Sequence, residues 1–162
     1  MAKKKCFLSF YYKVDNWRVA QVKNIGSIEE QPILSSNDWE QIKKKGDAAI
    51  EKWIEDNMQG KECLVVLVGS QTSGRRWVKY EVKRACEKGI GVVGVYIHNL
   101  KDKDGKQTTK GASPFEGVTV DGKAISSYAK MYDPPSSDSK AVYEYISNNI
   151  SSWVENAIKL RA

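Results

Sequence analysis

Stretches of consecutive apolar residues alternate along this chain with stretches in which apolar residues recur every three or four positions. The clearest strand is predicted for residues 62–69, because the apolar stretch from Cys63 to Val68 is unbroken, as expected of a central parallel strand that is covered on both faces. Residues 6–12 and 91–97 predict two further strands. A short strand at the sheet edge is predicted for residues 32–34, where a proline does least harm, and a last one within residues 118–132.

Four stretches have the apolar spacing of helices. The first follows Asp15, which can cap it, and ends near residues 24–26. The others cover residues 38–58, 76–88 and 139–160. The inward face of the first helix is predicted to consist of Trp17, Val19, Ala20 and Val22. Strands and helices therefore alternate along the chain.

This alternation predicts the fold class. Right-handed crossovers give an α/β, flavodoxin-like three-layer sandwich, in which helices cover both faces of a mostly parallel sheet of about five strands. At 162 residues the chain suits a single domain, residues 1–162, with one core. Ligands of such sheets bind at the carboxyl ends of the strands. The segments that leave the first and central strands, residues 9–15 and 69–81, are therefore expected to line one crevice.

Trp77 and Glu81 lie in the second of these segments. They are four residues apart on a predicted helix, so they share one helical face beside the carboxyl edge of the sheet. A carboxylate that faces a crevice can stabilise positive charge on a sugar, and the indole one turn away can form part of the same wall. The alternative is that Glu81 pairs with Arg84, three residues later, on a solvated face.

Composition and charge exclude several classes of protein. Hydrophobic residues make up 41% and charged residues 28%, as in globular chains. No apolar stretch forms a secretory signal or approaches the roughly 20 residues of a membrane span, so a soluble, cytoplasmic protein with no membrane partner is expected. The net charge of +6 is scattered, which argues against a nucleic-acid partner, although it would attract a dinucleotide. Three cysteines without C-x-x-C spacing predict neither a disulfide framework nor a metal site.

Several short motifs follow one another between residues 4 and 115. They are Lys5-Cys-Phe-Leu-Ser-Phe-Tyr-Tyr12 with Trp17-Arg-Val19, Asp38-Trp-Glu40, Val68-Gly-Ser-Gln-Thr72, Arg76-Trp-Val-Lys-Tyr-Glu81, Gly94-Val-Tyr-Ile-His-Asn99 and Lys110-Gly-Ala-Ser-Pro-Phe115. In this order they resemble the TIR-like proteins of bacterial Thoeris anti-phage defence, the ThsB family. The resemblance weakens towards the carboxyl terminus, where residues 113–135 depart most from the pattern.

The resemblance implies a TIR-like enzyme that cleaves the N-glycosidic bond between nicotinamide and ribose in NAD. The ADP-ribose part would become a signal nucleotide, often a cyclic ADP-ribose isomer, that activates an effector protein. A phage-derived trigger and self-association are further implied partners. Glu81 matches the glutamate that NAD-cleaving TIR enzymes require, and Trp77 matches the aromatic residue one turn before it. Because the leaving nicotinamide is already cationic, no general acid, metal or cofactor is expected beyond NAD as substrate.

Further substrate-binding residues are predicted at the ends of the first and central strands. Ser9, Phe10 and Tyr11 end the first strand and can place an aromatic ring against nicotinamide or adenine, whereas Phe10 can also be plain core. Ser70 and Thr72 can offer hydroxyl groups to a pyrophosphate, or they can cap the helix that carries Trp77 and Glu81.

The remaining candidates have structural alternatives. Asp38 and Trp39 can line the far wall of the crevice, although an aspartate before a helix is first of all a cap. Arg75 and Arg76 can hold phosphate or lie in solvent. His98, at a predicted strand end, is expected to be a hydrogen-bonded structural histidine rather than a catalyst.

Two other functional classes stay open beside the enzyme. Many TIR domains are interaction modules that act by self-association or adaptor contacts, and such a module has no need of a carboxylate in the crevice. A flavodoxin-like nucleotide receptor would bind a dinucleotide without turning it over. Tight NAD binding without nicotinamide release would distinguish the receptor from the enzyme.

Overall fold

Five parallel strands form the central sheet of the protein. The structure is a computed structural model that describes residues 3–161, apart from the side chain of Ser36. The strands are β1 (Lys5–Ser9), β2 (Glu29–Glu30), β3 (Cys63–Val68), β4 (Gly91–Tyr96), β5 (Thr119–Val120), β6 (Lys123–Ala124) and β7 (Lys130–Tyr132). The order in the sheet is β2-β1-β3-β4-β7, with every neighbouring pair parallel, whereas β5 and β6 form a separate antiparallel pair. This order confirms the predicted flavodoxin-like plan.

Helices cover both faces of this sheet. They are α1 (Tyr12–Ile25), α2 (Ser36–Lys44), α3 (Asp47–Met58), α4 (Arg76–Lys88) and α5 (Ser139–Leu160). One apolar cluster joins α1 and α5 to the sheet, and a second joins α3 and α4 to its other face. The three-layer sandwich is therefore confirmed. Within residues 3–161, no helix combines the length and the apolar character needed to cross a membrane.

Strands β3 and β4 are buried along their whole length. Successive side chains of β3 enter opposite layers: Val65 and Leu67 pack with α1 and α5, whereas Leu64 and Val66 pack with α3 and α4. Because both faces are covered, every position must be apolar, which explains the unbroken stretch in the sequence. The predicted bounds of α4 and α5 are confirmed, as is a last short strand, β7, within residues 118–132.

The structure corrects two elements near the sheet edge. Residues 38–58, predicted as one helix, form α2 and α3, and the chain turns between them at Gly46, whose φ is +97°. Such a φ is accessible mainly to glycine, so the break follows from a local backbone preference that apolar spacing does not report. The edge strand predicted at residues 32–34 lies earlier, at Glu29–Glu30, and the chain leaves the ladder before Pro32, which has no N–H to donate.

The first helix also differs from its prediction. It begins at Tyr12, so Asp15 lies within its first turn and does not cap it. Trp17 and Ala20, predicted to face inward, are exposed, Trp17 by 52%. The buried residues are Asp15, Arg18, Val19 and Val22. Asp15 and Arg18 form a buried ion pair of 3.0 Å, and this pairing allows two charged side chains to occupy inward positions.

Candidate functional site

A cavity of about 720 Å³ opens at the carboxyl ends of β1 and β2, beside the first turns of α4, and we call it the crevice. It is lined by Leu8, Phe10, Tyr11, Tyr12, Lys13, Gln31, Pro32, Ile33, Leu34, Trp39, Glu40, Lys43, Trp53, Arg75, Arg76, Trp77, Val78 and Glu81. Parts of the two predicted segments, residues 10–13 and residues 75–81, thus meet here, whereas residues 69–74 do not line the crevice. The volume lies within the range of about 300–1,000 Å³ that is usual for small-molecule sites.

Glu81 is the carboxyl group at the inner wall of the crevice. It lies in the second turn of α4 and is only 9% exposed. The hydroxyl of Ser9 donates a hydrogen bond of 2.6 Å to its Oε1. The alternative of a surface pair with Arg84 is wrong, because the Arg84 guanidinium binds Glu55 and Glu87 instead.

Burial raises the pKa of Glu81 to about 8, and the hydrogen bond from Ser9 offsets only part of that rise. A carboxyl group with this pKa is largely protonated at neutral pH in the empty crevice. A positive charge placed beside it would favour the ionised form and lower its pKa. The group is therefore poised to become a carboxylate when a cation arrives.

The position of Ser9 depends on an amide that sequence reasoning missed. Gln31 is buried, and its side chain accepts a hydrogen bond from the Leu8 N–H and donates one to the Leu8 carbonyl, both of 2.9 Å. The amide thus replaces a strand neighbour for β1 just where β2 has ended. It holds the residue next to Ser9 while leaving this edge of the sheet open as a wall of the crevice. Nothing in the local sequence signals a bond across 23 residues.

Aromatic side chains form much of the remaining wall. Phe10, Tyr11, Trp39 and Trp77, all predicted to bind substrate, line the crevice. The ring of Trp77 meets that of Tyr80 edge to face, with centroids 5.6 Å apart. Trp53 was missed by the sequence analysis because it lies on α3, and its spacing predicts only a core position. Flat apolar walls of this kind suit planar rings.

The other predicted binding residues lie away from this lining. Asp38 is exposed in the first turn of α2, where its N–H donates to the cap residue Ser35. Thr72 is fully buried, and its hydroxyl accepts a hydrogen bond of 2.8 Å from the Gly69 N–H, so it holds the loop after β3. Ser70 is half-buried in the same loop. The N-cap residue of α4 is Arg75, and no side chain forms a capping hydrogen bond there. The hydroxyl groups of Ser70 and Thr72 therefore do not cap that helix.

Comparison with known proteins assigns the family. A family model described as "Thoeris protein ThsB, TIR-like domain" matches residues 7–102. A relative from Bacillus cereus (strain MSX-D12), named "Putative cyclic ADP-D-ribose synthase ThsB1", is 34% identical over 134 residues, which cover 77% of this chain and 70% of the relative. The chain belongs to the ThsB TIR-like family.

The ThsB match begins within β1 and ends after β4, so it includes Ser9, Trp77 and Glu81. Strand β7 and helix α5 lie beyond it, although they complete the same sheet and the same core. One solved structure, the sugar isomerase domain of the RpiR transcription factor from Sphaerobacter thermophilus, covers 98% of this chain and 76% of that chain. Its identity is 10% and its TM-score 0.41, too low to carry an inference.

Outside the crevice lining, the buried pair of Asp15 and Arg18 joins three segments of this ThsB-family domain. Arg18 donates from Nε to the Leu100 carbonyl at 2.8 Å and from Nη2 to the Lys106 carbonyl at 2.9 Å. The Asp15 carboxylate lies so close to Gly69 that a Cβ there would overlap both of its oxygens. Helix α1, the loop after β3 and residues 100–106 are therefore held together.

His98 lies at the end of β4 and does not line the crevice. It is buried, but the hydrogen bond predicted for it is absent at Nδ1, which has no partner among the described residues. Burial lowers its pKa, so the ring is neutral at physiological pH. The ring meets Tyr96 edge to face at 6.0 Å, which fits a packing role.

Proposed function

We propose that this protein cleaves the bond between nicotinamide and ribose in NAD and converts the ADP-ribose part into a cyclic ADP-ribose isomer that serves as a signal. The signal would activate an effector protein in anti-phage defence. The observation that carries the proposal is the buried Glu81 carboxyl, hydrogen-bonded to Ser9 at the wall of a ligand-sized crevice. The name of the Bacillus cereus relative, a cyclic ADP-D-ribose synthase, supports the same chemistry.

The reaction makes one main demand on the protein. When the C–N bond breaks, its electron pair goes to the nicotinamide ring nitrogen and neutralises it, and the ribose is left with oxocarbenium character. A carboxylate beside that sugar stabilises the developing positive charge or holds the ribose hydroxyls by charge-assisted hydrogen bonds. No acid is needed to protonate the leaving group. Glu81 alone can therefore supply the principal electrostatic stabilisation.

The high pKa of Glu81 fits this role. The pyridinium of bound NAD brings a positive charge to the crevice, which lowers the pKa of the Glu81 carboxyl from about 8 and releases its proton. The carboxylate then faces the sugar as charge moves onto it. A buried site has a low effective dielectric, so this interaction is stronger there than in water.

The fate of the ribosyl cation depends on the nucleophile that reaches it. Attack by an adenine ring nitrogen of the same molecule closes a cyclic product, whereas attack by water gives linear ADP-ribose. The aromatic side chains of Phe10, Tyr11, Trp39 and Trp77 can hold flat rings and keep water away. Such a wall favours the cyclic product, because it keeps adenine near the sugar.

The test is to incubate NAD with the wild-type protein and with Glu81→Gln, each taken from phage-challenged cells, and to measure nicotinamide and the product nucleotides by chromatography with mass detection. Challenge is needed because sensors of this family are expected to be silent at rest. We expect Glu81→Gln to abolish nicotinamide release. Glu87→Gln is the matched control, since Glu87 is exposed on the same helix and its loss should leave turnover unchanged.

Two outcomes would contradict the proposal in different ways. Unaltered turnover in Glu81→Gln would remove this residue from the mechanism. Tight binding of NAD by challenged wild-type protein, with no nicotinamide released, would favour a nucleotide receptor with the same crevice.

A further inference from the structure

Four basic side chains line the crevice, and they differ in how their charge is compensated. Arg76 binds the Asp47 carboxylate at 2.7 Å, and Lys43 lies 3.5 Å from that of Glu40. Within residues 3–161, no carboxylate lies within ion-pair distance of Arg75 or Lys13. Two positive charges at this site are therefore uncompensated by the protein itself.

Arg75 is held in one orientation by uncharged partners. Its Nε donates to the Gln71 carbonyl at 3.0 Å, and one Nη2 hydrogen bond of 2.9 Å goes to the Gln71 side-chain oxygen. The guanidinium also stacks on Tyr11, with its central carbon 3.8 Å from the ring centroid. This arrangement fixes the side chain without neutralising it, so little conformational freedom remains to be lost on binding.

The guanidinium keeps donors for a ligand. An arginine has five N–H donors, and two of those of Arg75 are used by Gln71. The other three have no acceptor in the described part of the chain. A planar pair of such donors matches two oxygens of a phosphate group. Arg75 is thus prepared to bind an anion in a bidentate manner.

The two uncompensated cations lie on the solvent side of the crevice. Lys13 is exposed in the first turn of α1 and Arg75 is half-buried just before α4, whereas Glu81 is buried at the inner wall. Positive charge at the opening and a carboxyl group inside suit a ligand whose cationic end enters first and whose anionic part stays near the opening. A nicotinamide dinucleotide has that distribution of charge.

We propose that Arg75, assisted by Lys13, forms a diphosphate-binding subsite, and that Arg75 makes the crevice select nucleotides that carry a diphosphate over nucleosides that lack one. The inference rests on the proposed function for its choice of dinucleotide. The subsite itself follows from the uncompensated charge and the oriented donors of Arg75. Lys13 adds charge but, as a flexible point charge, contributes less geometric selectivity.

The test measures ligand binding by calorimetry with the full chain in the Glu81→Gln background, so that turnover plays no part. The ligands are NAD and ADP-ribose, which carry the diphosphate, and nicotinamide riboside, which does not. We expect Arg75→Ala to weaken the binding of NAD and of ADP-ribose by about tenfold or more, as for a lost charge-assisted bidentate contact. The affinity for nicotinamide riboside should change by less than about twofold. The NAD affinity of Arg75→Lys should lie between those of the proteins with arginine and with alanine at this position, because lysine keeps the charge and loses the planar donors.

Lys79→Ala is the matched control. It removes an exposed basic side chain from the first turn of α4, outside the crevice lining. Its effect on NAD affinity should be less than about threefold. A loss at Lys79 equal to that at Arg75 would show that only the total charge matters and would overturn the specific role of Arg75.

Four other results would decide whether Arg75 forms this subsite. Equal weakening of NAD and of nicotinamide riboside in Arg75→Ala would mean that Arg75 merely supports the wall, and no weakening would also overturn the subsite. Absence of NAD binding to the protein with Arg75 intact would count against both the subsite and the proposed function. Selective loss of NAD and ADP-ribose binding, together with a wild-type protein that releases no nicotinamide, would uphold the subsite while the proposed function fails.

Discussion

The hydroxyl of Ser9 lies 2.6 Å from Oε1 of Glu81, and this bond joins two residues that are 72 positions apart. It connects the end of β1 to α4 at the inner wall of the crevice. The two groups act on each other's chemistry, because the bond favours the ionised carboxylate while burial opposes it. The relationship leads directly to a prediction about the pH dependence of the reaction.

Ser9→Ala should move the pH profile of NAD cleavage to higher pH. Removing the hydroxyl removes the hydrogen bond that lowers the pKa of Glu81, so the carboxyl group needs a higher pH to ionise. In the wild type, kcat/KM should rise with pH and level off above about 8, because this parameter follows the free protein. The measurement is the initial rate of nicotinamide release at low NAD between pH 6 and about 10.

The control for that profile is Ser70→Ala, the same substitution in the loop after β3, where the hydroxyl makes no bond to Glu81. Its midpoint should match the wild type. A midpoint that stays in place in Ser9→Ala would contradict an influence of this hydrogen bond on the reacting carboxyl group.

Glu81→Gln should be more stable than the wild type at alkaline pH. The folded pKa of about 8 lies above the ordinary value of 4.5, so the fold favours the protonated carboxyl group. The stability that this preference contributes is complete below pH 4.5 and is lost progressively up to about pH 8. Glutamine cannot ionise, so the variant should gain on the order of 5 kcal/mol relative to the wild type at pH 9.

The measurement is the free energy of unfolding from urea titrations at pH 5 and pH 9. The free energies of unfolding of the wild type and of Glu81→Gln should be similar at pH 5 and should differ at pH 9. A constant difference across this range would show that Glu81 does not titrate with the fold. Gain of stability with loss of turnover would mark this carboxyl group as one retained for function.

Arg18→Leu should destabilise the protein by about 3–5 kcal/mol near neutral pH, because it leaves the buried Asp15 carboxylate without its partner. Asp15→Asn should lose less, since Arg18 keeps its bonds to the carbonyls of Leu100 and Lys106. Burial already raises the pKa of Asp15, so protonation should relieve part of the defect in Arg18→Leu as the pH falls towards 4. The free energies of unfolding of both variants, from urea titrations at pH 7 and pH 5, check these expectations. Equal losses of stability in the two variants would contradict them.

Gly69→Ala should also destabilise, by about 1–3 kcal/mol, because the added methyl group overlaps both oxygens of the Asp15 carboxylate. Asp15 cannot move aside easily, since Arg18 holds it. A double-mutant cycle with Asp15→Ala isolates the clash: the double variant should be less destabilised than the sum of the two single losses. If the losses in the free energy of unfolding, measured with urea, were additive, the effect of Gly69→Ala would not come from a clash with Asp15.

Several elements could be predicted because their signals are local. The unbroken apolar stretch predicts β3, since a strand covered on both faces has no polar positions. Helix α4 is predicted to the residue, as its inward positions recur at helical spacing and Gly89 takes the left-handed conformation that ends it. The break between α2 and α3 was missed, because the spacing continues through the turn at Gly46.

Charge gave the least reliable local signal. The burial of Asp15 and Arg18 was not predicted. A charged side chain can be buried only when its ion-pair partner and hydrogen-bonding carbonyl groups are close to it in the folded protein, and the local sequence does not show this. Arg75 was predicted as either a phosphate ligand or a solvated residue. The difference between it and Arg76 lies in Asp47, which is 29 positions away from Arg76 and whose contact no local pattern reports.

The sequence by itself determined the layered α/β plan and the shared helical face of Trp77 and Glu81, because apolar periodicity along each element is enough to define both. Only the tertiary structure decided that Glu81 is buried against Ser9, and that the Gln31 amide takes the place of a strand beside Leu8. These contacts join residues that are far apart along the chain. They exist only once the sheet has brought the carboxyl ends of its strands to one edge.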